Sequence, residues 1–145
     1  MSKRKIEGWD ELVRTMKKLE KLPKKHVTRS AKKGARIALS DAKANAPEED
    51  GNLKKGIILK GERNKPKGKK VFQVTFDPAM NDVFVKTTKN GKRYYYPASQ
   101  EYGYMTRDGG YVPGFHFLRN SIEDNSSRME RVMVDTMGKE IDKLR

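Results

Sequence analysis

Two groups of residues in this sequence have the types and spacing to do chemistry. Lys25, Arg29, Lys32, Arg36 and Lys43 follow one another at steps of four, three, four and seven, which on a helix sets all five cations in nearly one line. Like charges so placed repel by roughly a few tenths of a kcal/mol per pair. A row that accepts this repulsion suits an anionic partner, DNA or an acidic protein surface; a solvated, lysine-rich helix face has the same pattern. The second group lies between Tyr94 and Leu118, which holds all six tyrosines together with Phe115 and Phe117. Aromatic area gathered in this way fills a core or an interface.

Catalytic chemistry is hard to assemble from what remains. His26 sits in a lysine cluster and is predicted to be exposed, while His116, between two phenylalanines, is predicted to pack. With no cysteine, disulfides and thiolate-bound metals are excluded, and the carboxylates have no metal-binding spacing. Gly68-Lys69-Lys70 and Gly91-Lys92-Arg93 lack the spacing of a phosphate-cradling loop and precede strands, not a helix. No catalytic residue, metal or cofactor is therefore expected. A small basic ribonuclease using only Lys, Arg and Tyr near the hairpin remains compatible with these absences.

Length and charge bound the answer further. A chain of 145 residues with 34% hydrophobic and 36% charged residues supports one domain, 1–145, around a thin core that gains from partner subunits. The net charge of +14 is uneven: 22 Lys and Arg stand against 9 Asp and Glu up to Phe72, and 11 against 10 after it. A basic partner surface belongs to the first half, where it would meet nucleic acid or acidic protein. No apolar run suits a leader or a membrane span, so the chain is expected to be soluble and made in the cytoplasm.

The elements that must position these groups are legible in outline. Trp9, Leu12, Val13, Met16, Leu19 and Leu22 form one face of an amphipathic helix that Pro23 is predicted to end. A second helix, Lys24 to Ala46, carries the cationic row and a stripe of small residues, Ala31, Ala35, Ala38, Ala42 and Ala46, that admits a close neighbour. Glu48 to Asn52 reads as a turn and Leu53 to Leu59 as a helical turn entering a strand. Residues 60–70 are predicted to be a mobile basic loop, a hairpin tip or an arm that orders on a partner.

Val71–Phe76 and Val83–Thr87 read as strands, and Asn90-Gly91 is the strongest hairpin signal, leading into a strand over Arg93–Tyr96. That strand would turn Tyr94 and Tyr96 to one side and Tyr95 to the other. A short turn at Gln100–Gly103 follows, with Glu101 either a carboxylate on the surface or a buried partner for a neighbouring subunit's cation. Met105–Tyr111 reads as a flexible loop, and a last helix runs from about Gly114 to Leu144 with a weak point at Asn125-Ser126-Ser127. The fold class is α+β: a small antiparallel sheet with a β-hairpin, packed against two N-terminal helices and a long C-terminal helix.

The central stretch also carries a resemblance. Tyr95, Tyr96 and Ala98, then Glu101-Tyr102-Gly103, a loop and Phe117-Leu118-Arg119 resemble the signature of the head-tail connector or tail-completion (neck) proteins of long-tailed phages. These are grouped with lambda Z-like minor tail components and the tenth gene product of HK-type phages. Ala46-Pro47, Gly51 and Leu53 are similar to that family's upstream segment; His116 departs from it, standing where the family often has Pro. The resemblance implies a non-enzymatic virion protein of the head-tail junction, acting as a homo-oligomeric ring, hexameric as such tail components tend to be, between connector and tail proteins.

On this reading Tyr95, Tyr96, Glu101, Tyr102, Gly103, Phe117 and Leu118 are the scaffold or subunit-contact residues. Spacing alone assigns Lys25, Arg29, Lys32, Arg36 and Lys43 to an acidic neighbour or to packaged DNA. The alternative is a sequence-nonspecific DNA-binding protein, although no recognised DNA-binding motif is present.

Overall fold

The computed structural model describes residues 8–63 and 69–143. Its longest element, α1 (Trp9–Asn45), has 37 residues, about 55 Å at 1.5 Å per residue. The break expected at Pro23 is absent, because the backbone stays helical through it. A proline inside a helix forfeits one hydrogen bond and crowds the carbonyl four residues back, costing about 3 kcal/mol. The rest of Lys17–Lys25 is Lys, Leu and Glu, good helix formers that offset this cost. What does end α1 is Pro47: Ala46 before it is extended, the conformation that a following proline favours. The two N-terminal helices expected on either side of Pro23 are therefore one, and the short α2 (Asn52–Gly56) that follows passes directly into a strand as its sequence indicates.

Antiparallel pairing holds throughout, in three two-stranded ladders in place of one sheet. Strand β1 (Ile57–Gly61) pairs with β2 (Phe72–Phe76), Ile57 opposite Phe76. Residues 64–68 of the expected basic loop lie outside the described residues. After a short 3-10 turn, α3 (Asn81–Phe84) occupies the start of the expected second strand, leaving β3 (Val85–Thr87) to pair with β4 (Arg93–Tyr95) around the left-handed Gly91. Tyr96 is not in that strand. It opens α4 (Tyr96–Tyr102), where Pro97 fits the first turn because no N–H is needed there.

Strands β5 (Gly103–Met105) and β6 (Tyr111–Pro113) form a further hairpin, Tyr104 opposite Val112 and Met105 opposite Tyr111, where a flexible loop was expected. Two helices complete the chain, α5 (Phe117–Glu123) and α6 (Ser126–Asp142), divided at the weak point the sequence marks.

The core is small and lies at the C-terminal end of α1. Ala42 and Ala46 meet Leu53, Ile57, Phe84, Tyr96 and Phe117 there, all buried. Phe76 sits edge-on to Phe84, Tyr95 and Phe117, with ring centroids 5.5, 6.4 and 6.2 Å away. Alanine, not a larger residue, lets these rings approach the helix.

Helix α6 returns antiparallel along the middle of α1. Ser30 Oγ donates to the Met133 carbonyl at 2.6 Å, and a Cβ on Gly34 would stand 2.6 Å from Met133 Cγ. A larger residue there would have to displace the Met133 side chain. Nearer the N-terminus, Glu140 accepts from Arg29 at 2.8 Å. N-terminal to this contact the apolar face of α1 is bare, with Trp9, Leu12, Met16 and Leu19 all exposed. No helix of the described residues is long and apolar enough to cross a membrane.

Candidate assembly surface

Glu101 explains why the central stretch is built as it is. Its carboxylate is buried and caps α5: Oε2 accepts from the Leu118 N–H at 2.9 Å and Oε1 from the Arg119 N–H at 3.0 Å. A helix this short leaves its first amides without internal partners, and a carboxylate is the strongest acceptor for them. Its side chain is thus engaged within its own chain and is not the surface carboxylate that was one reading of the sequence. Backbone bonds close the same joint, from Phe115 N to Gln100 O at 2.8 Å and from His116 N to Glu101 O at 3.0 Å.

The joint tolerates no side chain at two positions. A Cβ on Gly114 would lie 2.2 Å from the Glu101 carbonyl oxygen, and one on Gly103 2.2 Å from that of Val112. Gly103 also has φ of 85°, with ψ near 180°, a combination only glycine takes easily. His116, the residue where proline is frequent in the resembling family, has φ of 50° and ψ of 35° and serves as N-cap of α5. Proline, locked near −65°, cannot adopt that φ. We refer to Glu101–Gly103 with Gly114–Arg119 as the clasp.

The other predicted scaffold residues divide between core and surface. Phe117 is buried and Leu118 packs partly buried against the same cluster. Tyr95 is half-buried, and burial raises the pKa of its phenol. Tyr96 is buried, donates to Glu49 Oε2 at 2.6 Å and carries the Lys86 ammonium 4.1 Å over its ring. Burial, reinforced by the hydrogen bond to Glu49, pushes its phenol far above the ordinary tyrosine value. Of the predicted scaffold residues Tyr102 stands well out, 67% exposed.

Tyr102 marks the edge of a surface that the sequence reading missed. Tyr104, Met105, Tyr111, Val112 and Phe115 are exposed with it, all on or beside the β5–β6 hairpin, whose root the clasp holds. The Tyr111 hydroxyl donates back to the Tyr102 carbonyl at 2.6 Å. The signal was present: Asp108-Gly109 between Tyr104-Met105 and Tyr111-Val112 is a hairpin pattern.

The cationic row is only partly a free face. Lys25, Lys32 and Arg36 are exposed and make no ion pair among the described residues, whereas Lys43 is half-buried. Arg29 is turned to Glu140, which also accepts from Lys143 at 3.3 Å. The hydrogen bond from Arg29, strengthened by Lys143, holds the Glu140 carboxyl below its ordinary pKa despite its burial. His26, expected in solvent, is mostly covered. Its Nδ1 lies 2.6 Å from Glu140 Oε2 but off the line of a good hydrogen bond, so the contact is one of charge when the imidazole is protonated. Arg36 lines a groove of about 320 Å³ between α1 and the start of α6, opposite Asn125 and Arg128. Among the described residues no three His, Asp or Glu side chains gather to hold a metal.

No curated protein and no solved structure matches this chain. A family model does, over residues 10–103, from the first turn of α1 to the start of β5, and its description reads "Bacteriophage HK97-gp10, putative tail-component". That span takes in both the Ala46–Leu53 segment and the Tyr95–Gly103 motif, and the chain belongs to this HK97-gp10-like family of phage tail components.

Proposed function

We propose that the chain is a structural subunit of the phage head-tail junction, a tail-completion or connector-adaptor protein that assembles with copies of itself into a ring. It acts by surface complementarity and performs no chemical step. Membership of a tail-component family makes association with other virion proteins its working condition. The observation that carries the assembly reading is the β5–β6 hairpin, where six large apolar side chains are exposed together on a mount that Glu101 and two obligatory glycines hold in place. A protein working alone would gain nothing from fixing so apolar a projection. Its partners are neighbouring subunits and the connector and tail proteins above and below the ring.

Light scattering over a range of concentrations tests this, with a Tyr102→Ser, Tyr104→Ser double variant alongside. A discrete ring mass, hexameric by analogy with related tail components, is expected for the parent and a folded monomer for the variant. A parent that is monomeric at all concentrations would sink the ring.

One observation favours a second reading. Lys25, Lys32 and Arg36 present exposed charge along α1 and would meet DNA in a ring's channel or bind duplex outright. Duplex affinity that falls steeply with salt is expected if they do. A protein that ignores duplex at low ionic strength would leave those cations to an acidic protein neighbour.

A further inference from the structure

The hairpin is one of two large apolar surfaces left uncovered among the described residues. The other is the projecting end of α1, where Trp9, Leu12, Met16 and Leu19 line one side of the helix and stay exposed. Three- and four-residue steps put them on a single ridge. With large side chains of roughly 200 Å² about half uncovered, each surface amounts to a few hundred Å². That is roughly half of the ~800 Å² per partner of a standard interface, the size of a small contact that repetition around a ring would reinforce.

We propose that the ridge of one subunit packs on the β5–β6 hairpin of a second copy of this chain, and that this contact repeats head-to-tail around the ring. The pairing rests on the ring reading above and names its two halves. Three features of the fold select a second copy as the occupant.

The two surfaces cannot meet within one chain. The hairpin is rooted through the clasp to Phe117, which packs with Ala42 and Ala46 at the C-terminal end of α1. Leu12 is 30 residues from Ala42 along the same helix, or about 45 Å.

Each surface also lacks what the other supplies. A two-stranded hairpin is marginal in water unless a helix or further strands cover it. This one is apolar on both faces, Tyr104 with Val112 on one and Met105 with Tyr111 on the other. The ridge, in turn, is the apolar face of a helix with no sheet against it.

Charge does not oppose the contact. The cations of this part of α1, Arg14, Lys17 and Lys18, lie off the ridge, and the hairpin carries only Arg107 and Asp108 at its turn. Two different surfaces at opposite ends of a subunit are what a head-to-tail interface needs, and such an interface closes into a ring when its rotation allows.

Complementation between two variants tests the pairing. Met16 and Met105 are 56% and 66% exposed, so Met16→Asp and Met105→Asp leave the subunit folded, which an unchanged Tm and circular dichroism spectrum verify. Each variant alone is expected to lose the ring mass. Mixed in equal amounts, they are expected to give a heterodimer and nothing larger, because one intact ridge and one intact hairpin remain between them.

A ring that persists in either single variant overturns the pairing and leaves the ring reading standing, as does a mixture that stays monomeric. A dimer formed by Met105→Asp alone overturns it in favour of ridge-on-ridge symmetry. A parent that never assembles overturns the pairing and the ring reading together.

Discussion

The clasp and the free end of α1 are built on opposite terms. In the clasp the ligating groups of Glu101 are satisfied within the chain, two glycines are in backbone contact, and Phe117 is in the core. On the free end an equally patterned set of side chains, Trp9, Leu12, Met16 and Leu19, stays about half exposed. The residues that give the chain its family-like signature are therefore those that make the fold possible. Most of the exposed apolar residues stand beside them and, Tyr102 apart, belong to no motif. Substitutions in the two regions should separate accordingly, the first changing stability and the second changing mass.

The largest effect on stability is expected from Phe117→Ala. Phe117 is 2% exposed and its ring is edge-on to Phe76, so truncation removes buried area and leaves a cavity, at about 3–5 kcal/mol. Denaturant unfolding monitored by circular dichroism would measure it. A loss below about 1 kcal/mol, the range of surface changes, would mean that this side of the core collapses or that Phe117 belongs to the surface after all. Loss of a ring in this variant would say nothing about the subunit contact, because the subunit itself would be failing.

Glu101→Ala comes next. Two amides of the first turn of α5, Leu118 N–H and Arg119 N–H, lose a charged acceptor at once, which costs about 1–3 kcal/mol. Glu101→Gln keeps one good acceptor oxygen and should lose roughly half as much. Hydrogen exchange at the two amides would read the cap directly, with faster exchange expected in both variants and more so with Ala. Equal loss in the two would show that charge rather than hydrogen-bond count secures α5.

How much of this could be read from the sequence depends on whether the signal is local. The hairpin at Gly91, the passage from α2 into β1 and the break before Ser126 depend on residues within a few positions, and the sequence shows them. The continuity of α1 through Pro23 does not, because a local penalty of about 3 kcal/mol competes with helix propensity spread over many flanking residues. The aromatic run at Tyr94–Tyr96 favours a strand, yet Tyr96 opens α4, where Pro97 fits the first turn of a helix. Glu101 was the hardest to read. Its role depends on α5 arriving 17 residues later with free amides, and no local pattern carries that information. Arg29 was read as part of a cationic face, yet its partner Glu140 is 111 residues away.

Tyr96→Phe should cost about 1–2 kcal/mol, because the variant removes the hydroxyl that Glu49 accepts from and leaves the ring in place under Lys86. The same group gives the alkaline limb of stability. Burial and then Glu49 raise the folded pKa of Tyr96 above its unfolded value near 10, so the folded state favours the neutral phenol. Its contribution is complete below about pH 10 and is lost as pH rises past that, through the still higher folded value. Tyr96→Phe should therefore flatten the alkaline limb, which unfolding midpoints between pH 8 and 11 would display. An unchanged limb would assign it to Tyr95, whose phenol burial also raises.

The smallest effect on the fold, and the one that separates the two regions most cleanly, is expected from Leu12→Gln. Leu12 is half exposed and makes no core contact, glutamine is nearly as good a helix former as leucine, and surface changes of this kind move stability by about 0.5 kcal/mol or less. The isolated subunit should therefore unfold at the parent's midpoint. If Leu12 is covered in the assembly, the polar amide must be buried there, and the concentration needed for assembly should rise about tenfold or more, since burying a polar group without a partner costs about 1–3 kcal/mol. An unshifted assembly curve would mean that the free end of α1 stays in solvent in the ring. The contact would then fall to the hairpin alone, and the contrast between the two regions would reduce to one between core and solvent.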